Sequence, residues 1–206
     1  MKFLIQLAIY VVAINVIKTI PLHNFGFYWR TWNVNEEIPD DAVPGGIDKH
    51  GYKTYIAKTI YPEVGIIVPG KAVAEEHKMY FESDSLEHVS TQDIDILCSL
   101  NSYRFRWVNT KLGDTVESVV KDLVLVIGGH NRPSPVAIGK KTVGKVVHIG
   151  KVSIDDKTGK FLRIRMTEDG KGWGAEDNYS VLVYDNRVDD CAFSTISGCR
   201  IASIAL

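Results

Sequence analysis

The stretch that decides the fold is Ala42-Val43-Pro44-Gly45-Gly46-Ile47-Asp48, because the chain repeats its pattern in Leu125-Val126-Ile127-Gly128-Gly129-His130-Asn131. Further segments return in the same order, roughly eighty residues later in each case. Trp32 is matched with Trp107, and residues 55–58, 69–73 and 93–97 are matched with 137–140, 149–152 and 178–182. Repetition over most of the chain predicts two similar structural units.

The segments within each unit have the pattern of β-strands. Residues 66–68, 143–147 and 161–166 are short β-branched or alternating runs bounded by Gly, Pro and Asp. No segment after the apolar start keeps a 3.6-residue period for more than about two turns. The sequence therefore predicts an all-β fold of short antiparallel strands, with a core that the two units share. The two Gly-Gly pairs predict tight turns or bulges that need a positive φ.

The repeated blocks resemble a known family. Residues 32–58 read W-N-x-N-x-x-I-P-x-x-A-V-P-G-G-x-D-x-x-G-x-x-x-Y-I-A-K, and residues 68–71 read V-P-G-K. This pattern is similar to the DM9 repeat, and residues 173–176 and 179–182 resemble its later turn and closing strand. The resemblance covers residues 29 to 185. It implies two tandem DM9 units, 29–100 and 101–186, packed with pseudo-twofold symmetry, and it also implies a homodimer.

The same resemblance implies a function. Members of this family in invertebrate innate immunity recognise mannose without calcium, through the Asp of the G-G-x-D turn and the Lys of the P-G-K turn. Those positions are Asp48 and Lys71 in the first unit, and Asn131 and Lys151 in the second. Asn131 replaces the acid in the second unit, whereas the first unit keeps both residue types but has a longer segment between Lys58 and Lys71 than the second has between Lys140 and Lys151. At least one of the two sites is therefore expected to be altered. We therefore expect a secreted carbohydrate-recognition protein for mannose-type glycans in immune, gut or salivary recognition.

The chemistry of these residue types supports a sugar site. A carboxylate accepts hydrogen bonds from neighbouring hydroxyl groups while an ammonium donates to their oxygens, so Asp48 and Lys71 form a minimal clamp for a diol. Two alternatives remain open: Asp48 as a turn residue that bonds its own backbone, and Lys71 as a solvated turn lysine. Substituting either one is expected to leave the stability of the fold nearly unchanged.

The first residues have the features of a signal peptide. Lys2 precedes an apolar run that extends to Ile17 and is short for a membrane span, with small residues such as Ala13. We expect residues 1–20 to be a signal peptide, cleaved between positions 13 and 20, and the mature protein to be extracellular and free of the membrane. The alternatives are an uncleaved membrane anchor and a buried strand. The net charge of −1 argues against nucleic acid as a partner.

Secretion affects how two further features are interpreted, the cysteines and a possible glycosylation site. Cys98, Cys191 and Cys199 are an odd set, so they allow one internal disulfide of unknown pairing and leave one thiol, which also favours a dimer. Asn178-Tyr179-Ser180 is a possible N-glycosylation site. Trp173 is expected in a Gly-rich turn and is a possible stacking face for a sugar ring, with burial in the core or in an interface as the alternative. Residues 187–206 are expected to form a tail or an added strand.

Catalytic motifs are absent from the sequence. There is no G-x-S-x-G, H-E-x-x-H, Walker loop or G-x-G-x-x-G, and no CxxC pair. The six histidines are scattered without the spacing of metal ligands, and we interpret them as surface residues. We expect no enzyme, no cofactor and no metal. The alternative function is a secreted structural or interaction protein without a sugar site; an enzyme, such as the methyltransferase-like activity named for some family members, is less favoured.

Overall fold

The computed structural model describes residues 26–187. These residues form a single sheet of fifteen strands, with one short helix, α1 (Val116–Val120), and two 3₁₀ turns at Ala74–Glu76 and Ser102–Arg104. The predicted all-β fold is confirmed. The strands are β1 Tyr28–Trp32, β2 Pro44–Ile47, β3 Lys53–Tyr61, β4 Ile66–Val73, β5 Lys78–Ser83, β6 Leu86–Ser90, β7 Ile94–Cys98, β8 Phe105–Thr110, β9 Val124–Leu125, β10 Ile127–Asn131, β11 Ser134–Val143, β12 Val146–Ile154, β13 Phe161–Glu168, β14 Lys171–Ala175 and β15 Tyr179–Tyr184.

The strand order is the same in the two halves of the chain. The main path through the sheet is β1-β7-β3-β4-β5-β6-β14-β13-β12-β11-β15-β8. Read from the two outer edges inward, each strand of the first half has a counterpart in the second, and the halves join where Leu86 of β6 pairs with Lys171 of β14. Three strands lie off this path: β2 pairs with β3, β9 with β15, and β10 with both β11 and β4. The pseudo-twofold packing remains a prediction.

The strand register corrects one part of the repeat alignment. Trp29 lies opposite Leu97 in the β1–β7 pair, and Trp107 lies opposite Leu182 in the β15–β8 pair. Because Leu97 and Leu182 are equivalent positions in the repeat, the counterpart of Trp107 is Trp29. The predicted match with Trp32 is therefore wrong by three residues. An odd shift places a side chain on the opposite face of a strand, and Trp32 is accordingly buried in the core of the first half.

Contacts made by the two tryptophans support this corrected alignment. The ammonium of Lys58 lies 4.4 Å from the centre of the Trp29 ring, and that of Lys140 lies 4.6 Å from the Trp107 ring. Burial lowers the pKa of both lysines. Each half therefore contains the same cation–π pair at the same position.

The Gly-Gly pairs bring the two halves together. A register shift occurs at each pair, so the predicted bulges are present. A Cβ on Gly46 would lie 2.4 Å from the Val147 side chain, and one on Gly129 would lie 1.9 Å from the carbonyl oxygen of Ile67. Of these two glycines, only Gly46 has a positive φ. What both have in common is the close approach of the opposite half, which leaves no room for a side chain.

The hydrophobic core has three parts. One cluster belongs to the first half and includes Trp32 and Phe81, and a second belongs to the second half and includes Phe161 and Tyr179. The third cluster combines side chains from both halves, namely Val43, Ile56, Leu97, Val126, Ile138, Ile149, Leu182 and Tyr184. This shared cluster agrees with the predicted common core, and it places the surfaces between the halves on a rigid base. Residues 26–187 contain no helix long and apolar enough to cross a membrane.

Candidate functional site

The structure brings Asp48 and Lys71 to the same pocket. Asp48 lies in the turn after β2, and Lys71 lies on β4. The opposite wall comes from the second half, where Glu168 and Asp169 lie at the turn between β13 and β14. This first pocket has a volume of about 170 Å³. It is lined by Asp48, Lys49, His50, Lys71, Val73, Glu76, Tyr80, Glu87, Glu168 and Asp169.

Asp48 holds its own turn together. Its Oδ1 accepts hydrogen bonds from the backbone amides of His50, at 2.8 Å, and Tyr52, at 2.9 Å. The residue is buried, although it lines the pocket. The backbone role that the sequence left open is therefore present. It does not exclude ligand contact, because Oδ2 makes no hydrogen bond to any of residues 26–187, so the turn fixes the carboxylate without using both oxygens.

Lys71 is not a solvated turn lysine. The residue is only 9% exposed, and β4 places its Nζ 5.7 Å from the centre of the Tyr80 ring. Among residues 26–187 the ammonium forms neither an ion pair nor a hydrogen bond. A nearly buried ammonium in this state costs free energy, because burial removes water that only a partner can replace. Lys71 is thus the group in the first pocket with the most to gain from a polar ligand.

Bonds between the halves hold the rim of the first pocket. Lys49 pairs with Asp169 across the two halves, and Oε1 of Glu87 accepts a hydrogen bond from the Gly170 amide at 2.9 Å. On the other side, the Tyr80 hydroxyl donates to Glu76. Burial, together with this bond, raises the pKa of Tyr80. The lining includes five carboxylates but only two lysines, so the pocket disfavours anionic ligands.

A buried histidine lies close to the first pocket. His148 is 2% exposed, so its interpretation as a surface residue is wrong. Its ring packs edge-on against Trp173, with centres 5.0 Å apart, and its Nδ1 has no hydrogen-bond partner within 26–187. Burial lowers the pKa of His148, and the nearby Lys71 lowers it further while Glu168 opposes this. This burial was not predictable from the sequence, because the apolar run around His148 is too short to show which of its residues face the core.

Asn131 and Lys151 also share a pocket, but the lysine of this pocket has a charged partner. This second pocket has a volume of about 800 Å³ and is lined by Val64, Ile66, Glu82, Ser83, Asp84, Ser85, Leu112, Asn131, Lys151, Ser153, Leu162, Arg163 and Arg165. Nζ of Lys151 lies 2.9 Å from Oε2 of Glu82 and donates to the Glu82 carbonyl at 2.8 Å. Lys151 is therefore already paired, whereas Lys71 is not.

Other predicted site residues lie apart from the two pockets. Trp173 is part of β14 and not of a turn, and it packs partly buried against the core of the second half; its role as a stacking face remains a prediction. A strand pair with β13 holds it there. Asn178 is exposed, while Ser180 of the same sequon is buried. The glycosylation of Asn178 remains a prediction.

Cys98 is the one predicted disulfide residue within the described range. It is fully buried at the end of β7, and burial raises the pKa of its thiol to about 11. Cys191 and Cys199 lie outside the described residues, as do the predicted signal peptide and nearly all of the C-terminal segment 187–206. Residues 26–187 contain no group of three or more His, Cys, Asp or Glu side chains placed to hold a metal ion.

Several pocket residues were missed by the sequence reasoning. Glu168 and Asp169 reach the first pocket from the opposite half, and Glu82 reaches the second in the same way. All three residues lie in or next to the turn of a hairpin. The turn is Asp84-Ser85 between β5 and β6 in the first half, and Asp169-Gly170 between β13 and β14 in the second. Aligning these two hairpins would have shown that they are equivalent. It would not have shown which pocket each one enters.

Comparisons with known proteins agree with this fold. Residues 62–160 match the DM9 repeat, a span that runs from the end of β3 to the start of β13 across both halves. Among solved structures, the chain resembles the nematode sperm cell motility protein MFP2B with a TM-score of 0.54 and 15% sequence identity. That alignment covers 78% of this chain and 45% of the motility protein, and at this identity it shows the fold alone. No curated protein matches the sequence. Neither comparison names an enzyme.

Proposed function

Starting from a chain that carries the DM9 repeat, we propose that it is a non-catalytic binding module for mannose-type glycans. The first pocket is the proposed sugar site, and no metal takes part. The observation that carries the proposal is Lys71, a nearly buried ammonium that faces a pocket and forms no ion pair or hydrogen bond within 26–187, where its contact is the face of the Tyr80 ring. Sugar hydroxyls supply the acceptors that such a group lacks.

Asp48 supplies the complementary half of the proposed contact. Its Oδ1 is fixed by two backbone amides, which leaves Oδ2 to accept a hydrogen bond from a sugar hydroxyl. A vicinal diol can donate to this oxygen and accept from the Lys71 ammonium at the same time. Preorganisation by the turn reduces the ordering cost on binding. The acidic lining supports a neutral sugar over uronic, sulfated or phosphorylated ones.

The size of the first pocket limits the ligand and its affinity. Its 170 Å³ is the liquid volume of roughly six water molecules, which accommodates one edge of a sugar ring. Hydrogen bonds to charged groups contribute about 1.5–3 kcal/mol each, so after the cost of association one site is expected to bind in the millimolar to high-micromolar range. Useful binding then requires several sites together, and the proposed homodimer would supply them.

The proposed setting follows from the sequence. A protein secreted after removal of residues 1–20 would meet foreign or dietary glycans in immune, gut or salivary recognition. The proposed contact needs no calcium, because the Asp48 carboxylate and the Lys71 ammonium bond the sugar hydroxyls directly. The alternative, a secreted structural or interaction protein with no sugar site, gives no role to the unpaired Lys71.

A binding assay separates these functions. The purified full-length protein is applied to immobilised mannan with and without a chelator, and is then eluted with methyl mannoside or with glucuronic acid. We expect binding that resists the chelator and is displaced by the mannoside but not by the acid. The matched control is Lys157→Ala, which removes an exposed lysine from the loop between β12 and β13. Failure of the wild-type protein to bind mannan would favour the structural alternative.

A further inference from the structure

The two pockets differ at one buried position. In the strand register, Lys71 of β4 lies opposite Tyr80 of β5, and Lys151 of β12 lies opposite Arg165 of β13. Two residues further along the hairpins, Glu82 in the first half and Thr167 in the second occupy the same position before their turns. Each half contributes its hairpin to the pocket of the other half. Glu82 therefore contacts Lys151 in the second pocket, and Thr167 is the equivalent of Glu82 at the first pocket, where Lys71 lies.

Glu82 is fixed by several contacts. Its side chain is 3% exposed, and that of Lys151 is 11% exposed. Oε2 of Glu82 pairs with the Lys151 ammonium at 2.9 Å, while Oε1 accepts a hydrogen bond from the Ser85 amide at 2.8 Å. The Glu82 carbonyl also accepts from Lys151. A ligand that needed the ammonium would have to break a buried, charge-assisted pair and leave Glu82 with only the Arg165 guanidinium, 4.0 Å from its Oε1, as a charged partner.

Thr167 offers no such pair to Lys71. It is buried and uncharged, and its backbone lies against the His148 ring. The carboxylates that line the first pocket come from other positions, and none lies within ion-pair distance of the Lys71 ammonium. Lys71 and Lys151 are both nearly buried, so the difference between them is the partner and not the access of solvent.

We infer that Glu82 closes the second pocket to glycans, so that the chain has one sugar site, and that Thr167 at the equivalent position leaves the first pocket open. The glycan part of this inference rests on the proposed function. The other part, that the ion pair with Glu82 keeps the Lys151 ammonium from other partners, does not rest on the proposed function. The residue at this one position thus determines the number of sites per chain.

The reciprocal variants Glu82→Thr and Thr167→Glu test the inference directly. The first readout is reductive methylation of the folded, full-length protein, followed by mass spectrometry of the peptides that contain Lys71 and Lys151. In the wild type we expect Lys71 to react faster than Lys151. Glu82→Thr should raise the reactivity of Lys151 by about tenfold or more, which corresponds to the loss of one charge-assisted hydrogen bond. Thr167→Glu should protect Lys71.

Glu82→Gln provides a second variant in case Glu82→Thr does not fold. The amide oxygen can still accept from Ser85, while the negative charge opposite Lys151 is lost, so Lys151 should again become reactive. Circular dichroism and thermal unfolding check that each variant is folded. If Lys151 reacts as fast as Lys71 in the wild type, or stays protected in a folded Glu82 variant, the inference is wrong.

Mannan binding is the second readout and separates the two claims. Lys71→Ala removes the first site, and adding Glu82→Thr to this variant should restore binding, although more weakly because Asn131 lacks a carboxylate. A reactive Lys151 without restored binding, in a protein whose wild type binds, would show that Glu82 alone does not close the pocket. If no variant or wild type binds mannan but Lys151 becomes reactive, the glycan function fails while the closure stands.

Discussion

Asp48 stabilises the fold as well as the proposed site, and substitutions can separate the two roles. Asp48→Ala removes the acceptor of two backbone hydrogen bonds, to His50 and Tyr52, at a buried position. Hydrogen bonds to a charged group contribute about 1.5–3 kcal/mol each, and the freed amides regain some water in a turn, so we expect a loss of about 2–3 kcal/mol in the free energy of unfolding. This revises the sequence-based expectation of nearly unchanged stability.

Asp48→Asn is the matched variant. Its amide oxygen can replace Oδ1 and keep the turn, so we expect the unfolding free energy to fall by less than about 1 kcal/mol. The negative charge that lines the pocket together with Lys71 is lost, and mannan binding should weaken by about tenfold. Urea unfolding followed by tryptophan fluorescence measures the stability of both variants. Equal stability of Asp48→Ala and the wild type would refute the reasoning, because it would mean that the two backbone bonds contribute nothing.

Three further outcomes are expected. Gly129→Ala should destabilise the protein by about 3 kcal/mol or more in the same urea assay, because the new Cβ would meet the Ile67 carbonyl oxygen. The control is Gly144→Ala, where the new Cβ would enter open space and only the positive φ is strained, so the loss should be about 1 kcal/mol. Burial lowers the pKa of His148 in the folded state, so the unfolded chain binds its proton first and the free energy of unfolding should decline as the pH falls below about 6.5. This decline should be smaller in His148→Gln, and an identical pH profile would contradict the assignment. Lys49→Ala should weaken mannan binding by no more than a few-fold, because Lys49 is already paired with Asp169. This exposed ion pair contributes about 1 kcal/mol or less. Complete loss of binding would show that Lys49, rather than Lys71, holds the ligand.

The fold was predictable because the patterns that indicate its strands and turns are local in the sequence and occur in both halves. Alternating runs such as residues 161–166 and the two Gly-Gly pairs identified the strands and the bulges, and repetition predicted the shared core. The counterpart of Trp107 was predicted wrongly, because Trp29 and Trp32 both offer an aromatic match and only the pairing of Trp29 with Leu97 distinguishes them.

The candidate site was only partly predictable. Asp48 and Lys71 were found from the resemblance, and the structure places them in one pocket. The wall formed by Glu168 and Asp169 depends on how the halves pack, which the sequence pattern of a single unit does not encode. The pairing of Lys151 with Glu82 has the same origin, since it joins residues from different units.

The most direct test of the account compares two lysine variants in the mannan assay, in the presence of chelator. Lys71→Ala removes the unpaired ammonium of the first pocket, and Lys151→Ala removes the paired ammonium of the second. Both variants are first shown to be folded by circular dichroism. The account predicts that Lys71→Ala abolishes binding while Lys151→Ala keeps it within a few-fold of the wild type. Full binding by Lys71→Ala, or loss of binding by a folded Lys151→Ala, would contradict it.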